Sequence, residues 1–174
     1  MANLIPVREA QRLLKESKIT QAPVDIEAIA KKLGAVVSYE VFKEDLSGVL
    51  VKESSRTVIG VNSVHSKTRQ RFTIAHEIGH LILEHEGEVF VDQTVMKRDE
   101  RSSQAIDIQE IEANKFAAEL LMPESLIMAA VQNLPSKKPD ISSGQLIEEL
   151  AKAFQVSSQA MEYRLTNLGM FIPQ

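Results

Sequence analysis

His76 and His80 stand four residues apart inside a stretch, 67–85, whose apolar residues Phe72, Ile74, Ala75, Ile78, Leu81 and Ile82 keep returning near one side. That period belongs to an α-helix, and on a helix residues four apart lie one above the other. The segment before it obeys a different rule. Residues 35–41 (AVVSYEV), 48–51 (GVLV) and 57–61 (TVIGV) are short, rich in β-branched residues and bounded by turns. They predict three strands of a small sheet, and Val89–Val91 is a candidate fourth. The expected class is therefore α+β, with helices surrounding the sheet.

Other helices are signalled by their ends. Pro6 opens an amphipathic stretch, and Asp25 is placed to cap a short helix over 26–33 that Gly34 would stop. A second strong helix is predicted over 108–122, ending before Pro123, with a shorter one after that proline. Residues 86–105, with KRDERSS at 97–103, read as a long charged loop that could gate access to the helices on either side. LPSKKPD, 134–140, is the clearest linker. Two short helices, 144–154 and 157–168, follow it in a helix-turn-helix-like pattern. We divide the chain into a domain over 1–133 and a linker with a C-terminal helical appendage over 134–174.

Composition matters for what it removes. With no Cys, neither a thiol nucleophile nor a cysteine-ligated metal site is available, so any metal must be held by His and carboxylate. A net charge of −4 gives no basic footprint for nucleic acid, and the last predicted helix offers only Arg164. DNA binding is therefore not expected. No apolar run approaches the roughly 20 residues a membrane helix needs, and the start lacks a signal-peptide core, so a cytoplasmic protein is expected.

Within AHEIGH, His76 and His80 share a helix face, which lets both ring nitrogens reach one Zn²⁺ at about 2 Å. Glu77 is the neighbour that could accept a proton from an attacking water, the His-Glu-x-x-His logic of zinc peptidases. The plain alternative is a pair of helix histidines packed or solvated without metal. A catalytic zinc needs a third protein ligand. His85, five residues after His80, is about 140° further round a continuous helix and would face elsewhere, and His65 precedes the helix. The second strong helix is the better source. Glu110 and Asn114 share a face there, as in the gluzincin arrangement, where the acid is the third ligand and the amide steadies a ligating His. Glu112 is the alternative third ligand, although on a helix it points about 200° from Glu110. Gly79, unfavourable in a helix by up to about 1 kcal/mol, suggests a close approach there.

The blocks 71–80 (RFTIAHEIGH) and 110–123 (EIEANKFAAELLMP) resemble the ImmA/IrrE family of metallo-endopeptidases. Residues 23–30 with Leu33-Gly34, Gly60-Val61-Asn62, 150–157 and 160–165 are also similar to that family, so the likeness runs from about 23 to 168. The resemblance implies a gluzincin-like fold, zinc, and limited proteolysis of a regulatory protein. The typical target is a helix-turn-helix repressor of a phage, mobile element or stress response, encoded nearby. Zinc peptidases of this kind align substrate on a sheet edge, expected here in 48–61. Tyr39, Tyr163, His65 and Arg71 are candidates for a second oxyanion donor. A regulator that binds DNA or protein, or a toxin–antitoxin component with an unused metal site, is the competing reading. Sequence does not set the oligomeric state.

Overall fold

A computed structural model describes residues 4–43, 45–85, 89–93, 103–133 and 143–170. Chain order is α1 (Ile5–Glu16), α2 (Ile26–Lys32), β1 (Ala35–Glu40), β2 (Leu46–Glu53), β3 (Arg56–Asn62), α3 (Lys67–Ile82), β4 (Val89–Gln93), α4 (Ser103–Leu121), α5 (Glu124–Gln132), α6 (Ser143–Phe154) and α7 (Ser158–Asn167). The class is α+β, as expected. The gating loop read at 97–103 and the linker at 134–140 lie outside the described residues, except that Ser103 already begins α4.

Local chemistry sets several boundaries. Asp25 caps α2 by accepting from the Ala28 N–H at 3.0 Å, and Gly34 follows it at φ +78°, a conformation cheap only for glycine. Ser66 and Ser157 cap α3 and α7 in the same way. The end of α3 differs from the expected continuation to 85. Glu84 adopts φ 53°, and the His85 N–H donates to the His80 carbonyl at 3.2 Å while that of Glu84 reaches Leu81 at 3.4 Å. This paired closure turns the chain back onto the last helical turn.

The sheet has four strands in the order β1-β3-β2-β4. β1 runs parallel to β3, whereas β2 is antiparallel to both β3 and β4. Both strands of the 48–61 segment are thus internal, and the expectation of a substrate edge there is corrected. β4 pairs along β2 from Leu46 to Val51 and takes the edge itself. Ile59, Gly60, Val61 and Asn62 are buried in succession, as happens when both faces of a strand are covered. α3 packs on β2 and β3 and α4 packs on α3, and Ile74, Ala75, Ile78, Phe116, Ala117 and Leu120 lie in the core they share without solvent contact. Burying each large aliphatic side chain contributes about 1.5–3 kcal/mol. α1 adds Ala10, Leu13 and Leu14 to the same core. Leu150, Phe154, Met161 and Leu165 of the C-terminal pair also join it. No described helix is long and apolar enough to cross a membrane.

Candidate metal centre

α3 is buried continuously from Thr73 to His80 because the sheet covers one side and α4 another. A helix enclosed this way must give each polar side chain a partner. Glu77 is fully buried and lies against β2. A Cβ added at Gly48 would sit 3.3 Å from Glu77 Oε1 and only 2.3 Å from Thr73 Cγ2. Gly48 is thus what lets the strand pass under this carboxylate.

His76 and His80 face α4. Their Nε2 atoms are 3.0 Å apart. Glu110 approaches both, with Oε2 3.1 Å from His76 Nε2 and Oε1 3.2 Å from His80 Nε2. Donors about 2 Å from a shared tetrahedral centre are about 3.3 Å apart, so this triangle suits one metal ion. One tautomer of His76 suits a metal. In it His76 donates through Nδ1 to Asn114 Oδ1, 3.1 Å away, which leaves its Nε2 lone pair aimed into the triangle. Burial would raise the Glu110 pKa, but without an ion the N–H groups and charge that His76 and His80 can turn towards it outweigh burial and hold the carboxyl at about 2. Glu110 is therefore an anion at neutral pH, as a ligand must be.

The close approach suspected at Gly79 is present. A Cβ there would lie 3.1 Å from Ala113 Cα, 3.2 Å from the Ala113 carbonyl and 3.2 Å from Phe116 Cδ1. Backbone meets backbone, and Glu110, one turn before Ala113, is carried over the imidazoles. Gly79→Ala should gain up to about 1 kcal/mol of helix propensity. It should lose about 1–3 kcal/mol by prising α4 from α3. We expect a lower melting temperature together with metal affinity weakened at least about tenfold, the second read by chelator competition. Unchanged affinity would detach this contact from the site.

His85 was expected to face elsewhere and does not, and Glu112, the alternative third ligand, meets it and stays outside the triangle. On α4, Glu110 and Glu112 straddle Ala113, the point of closest approach, so each long side chain reaches round one flank. Glu112 Oε2 is 3.2 Å from His85 Nε2. His85 Nδ1 is 2.9 Å from His80 Nδ1, with the two rings meeting edge-on at 74°. Burial pushes the His85 pKa below its ordinary value, against the opposing pull of Glu112. Sequence spacing conceals this neighbour because α3 stops before the left-handed Glu84, so a helical angle does not apply to His85.

Other candidates have different partners. Tyr39 donates to Glu27 Oε1 at 2.5 Å, and burial together with Glu27 raises its pKa to about 12. Arg71 donates to the Val24 carbonyl at 2.8 Å. Tyr163 is exposed, and the His65 carbonyl accepts from Gln70 at 2.9 Å. Arg164, the only basic residue of α7, is half-buried and paired with Glu119.

A peptidase family model described as the IrrE N-terminal-like domain matches residues 30–166. The radiation response metalloprotease IrrE of Deinococcus radiodurans is 36% identical over 114 residues, which cover 66% of this chain and 32% of that protein. The Deinococcus deserti protein of the same name is 34% identical over 108 residues, covering 62% and 35%. The chain thus spans about a third of the length of these curated relatives. A solved structure described as a Mycobacterium tuberculosis transcriptional regulator shares the fold. It aligns with TM-score 0.61 at 20% identity over 92% of this chain and 46% of that one. The family match covers most of the chain, including both halves of the His-His-Glu cluster, and the chain belongs to the ImmA/IrrE family of metallopeptidases.

Proposed function

We propose that this protein is a zinc-dependent endopeptidase of the cytoplasm that makes limited cuts in a regulatory protein, a helix-turn-helix repressor encoded nearby. The observation that carries this reading is the convergence of His76 Nε2, His80 Nε2 and a Glu110 carboxylate beside the buried Glu77. His76, His80 and Glu110 are the ligands in this reading, Asn114 steadies His76, and Glu112 is not a ligand. Zn²⁺, when bound, supplies a Lewis acid that polarises the scissile carbonyl and lowers the pKa of water towards about 7.

Glu77 does the proton work. Held between α3 and Gly48, its carboxylate takes a proton from the attacking water and returns it to the leaving amine. An extended substrate would add to the sheet at β4, the terminal strand on the β2 side. We also propose the division into a catalytic domain over 1–133 and a linker with helical appendage over 134–174. The internal pairing of Arg164 supports a packing role for α7 over a DNA-reading one.

Two measurements test the proposal together. The purified chain should hold one zinc ion, and His76→Ala and Glu110→Ala should each abolish it. The zinc-loaded chain should convert the neighbouring helix-turn-helix protein into discrete fragments, and a chelator should stop this. Zinc uptake that survives both substitutions would reject the ligand set. Absence of fragments at stoichiometric enzyme would reject the substrate.

A further inference from the structure

His80 has two ring nitrogens and the structure gives each a task. Nε2 faces His76 and Glu110, while Nδ1 lies 2.9 Å from Nδ1 of His85, whose own Nε2 lies 3.2 Å from Glu112 Oε2. Three contacts in a line admit few proton arrangements. A carboxylate only accepts, so His85 must donate to Glu112 through Nε2–H. A neutral imidazole has one N–H, so His85 Nδ1 is then a bare acceptor. It can pair with His80 only if His80 donates through Nδ1–H. That leaves His80 Nε2 bare, the form a metal requires. The opposite polarity would set a lone pair of His85 against the Glu112 carboxylate and turn an N–H of His80 towards Glu110, where it would block a metal.

We propose that Glu112 and His85 form a relay of hydrogen bonds that fixes the tautomer and ring orientation of His80, making both of them positioning residues for the metal centre. The reversal of the chain at Glu84 builds the relay, because it brings His85 back over the last turn of α3. His76 and His80 are thereby held by different devices. Asn114 serves the first directly, and an acid acting through an intervening imidazole serves the second. α4 supplies the outer group in both cases, so docking this one helix brings a ligand and both orienting groups together. The inference rests on the zinc reading above, and its test separates the two.

Zinc affinity is measured by competition with a chromophoric chelator at fixed pH, beside the melting temperature of each metal-free variant. His85→Ala and His85→Phe should both bind zinc about 10–100-fold more weakly than the native chain. Phe is informative because it keeps the ring volume and lacks an acceptor. His85→Asn puts a carbonyl oxygen where Nδ1 stood and should recover affinity to within about threefold. Nitrogen-15 spectra of the native chain need no variant. Zinc-bound protein should carry the proton on Nδ1 of His80 and on Nε2 of His85. Equal affinities for the Phe and Asn variants, native affinity in His85→Ala, or a proton on Nδ1 of His85 would each overturn the relay. A native chain that takes up no zinc would instead sink the peptidase reading, and a proton on Nδ1 of His85 in that metal-free chain would still overturn the relay.

Discussion

Glu77→Gln is expected to leave zinc content at the native level and to lower cleavage of the repressor by about 10²–10⁴-fold, the range typical for a removed general base. The two side chains have nearly the same shape, so the narrow space under Gly48 still holds the variant and α3 packs as before. What changes is chemistry alone, because an amide cannot accept the proton of an attacking water. Glu77 is also not among the three residues whose donor atoms converge. Metal analysis and cleavage measured on the same preparation therefore part company in this variant, whereas they fall together in Glu110→Ala. Full activity in Glu77→Gln would end the proposed chemistry.

The largest expected effect on stability lies far along the chain from the metal helix. Arg164 of α7 donates through its ε-nitrogen to the Met122 carbonyl at 3.0 Å and through the guanidinium to Glu119 of α4. Gln11 of α1 donates to the same carboxylate at 3.0 Å. The Glu119 side chain is 3% exposed and that of Arg164 10%, so neither charge can turn to water. Arg164→Met keeps the aliphatic bulk and strands a buried carboxylate, which costs about 3–5 kcal/mol. That is a large fraction of the roughly 5–15 kcal/mol that holds a domain folded. Urea unfolding should show the loss, and adding Glu119→Leu should restore most of it, since the removed partner rather than the pair carries the penalty. A loss below about 1 kcal/mol would mean that α7 reorganises to let water reach Glu119.

What could be read from sequence follows the range of the interaction. His76 and His80 were legible because a four-residue spacing on one helix needs no tertiary information. Glu110 and Asn114 were legible as a pair for the same reason, although which acid faced the histidines depended on how α4 docks. Asp25 and Gly34 announced α2 through the chemistry of helix ends. His85 was hidden because the stop of α3 is a left-handed Glu84, a residue type that sends no such signal. The internal position of β2 was hidden because β4, some forty residues later, covers its edge. Pairing at that separation is decided by the whole fold.

Gly79 and Ala113 meet with almost nothing between them, so variation at this crossing can go in one direction only. Neither side chain can shrink in any useful way, and each added carbon lifts the acid off the imidazoles. Ile111 and Lys115, turned to solvent on the same helix, are free of this restriction. A library randomised at these four positions and sorted for metal retention should therefore return wide diversity at 111 and 115, and at 79 and 113 only the smallest residues.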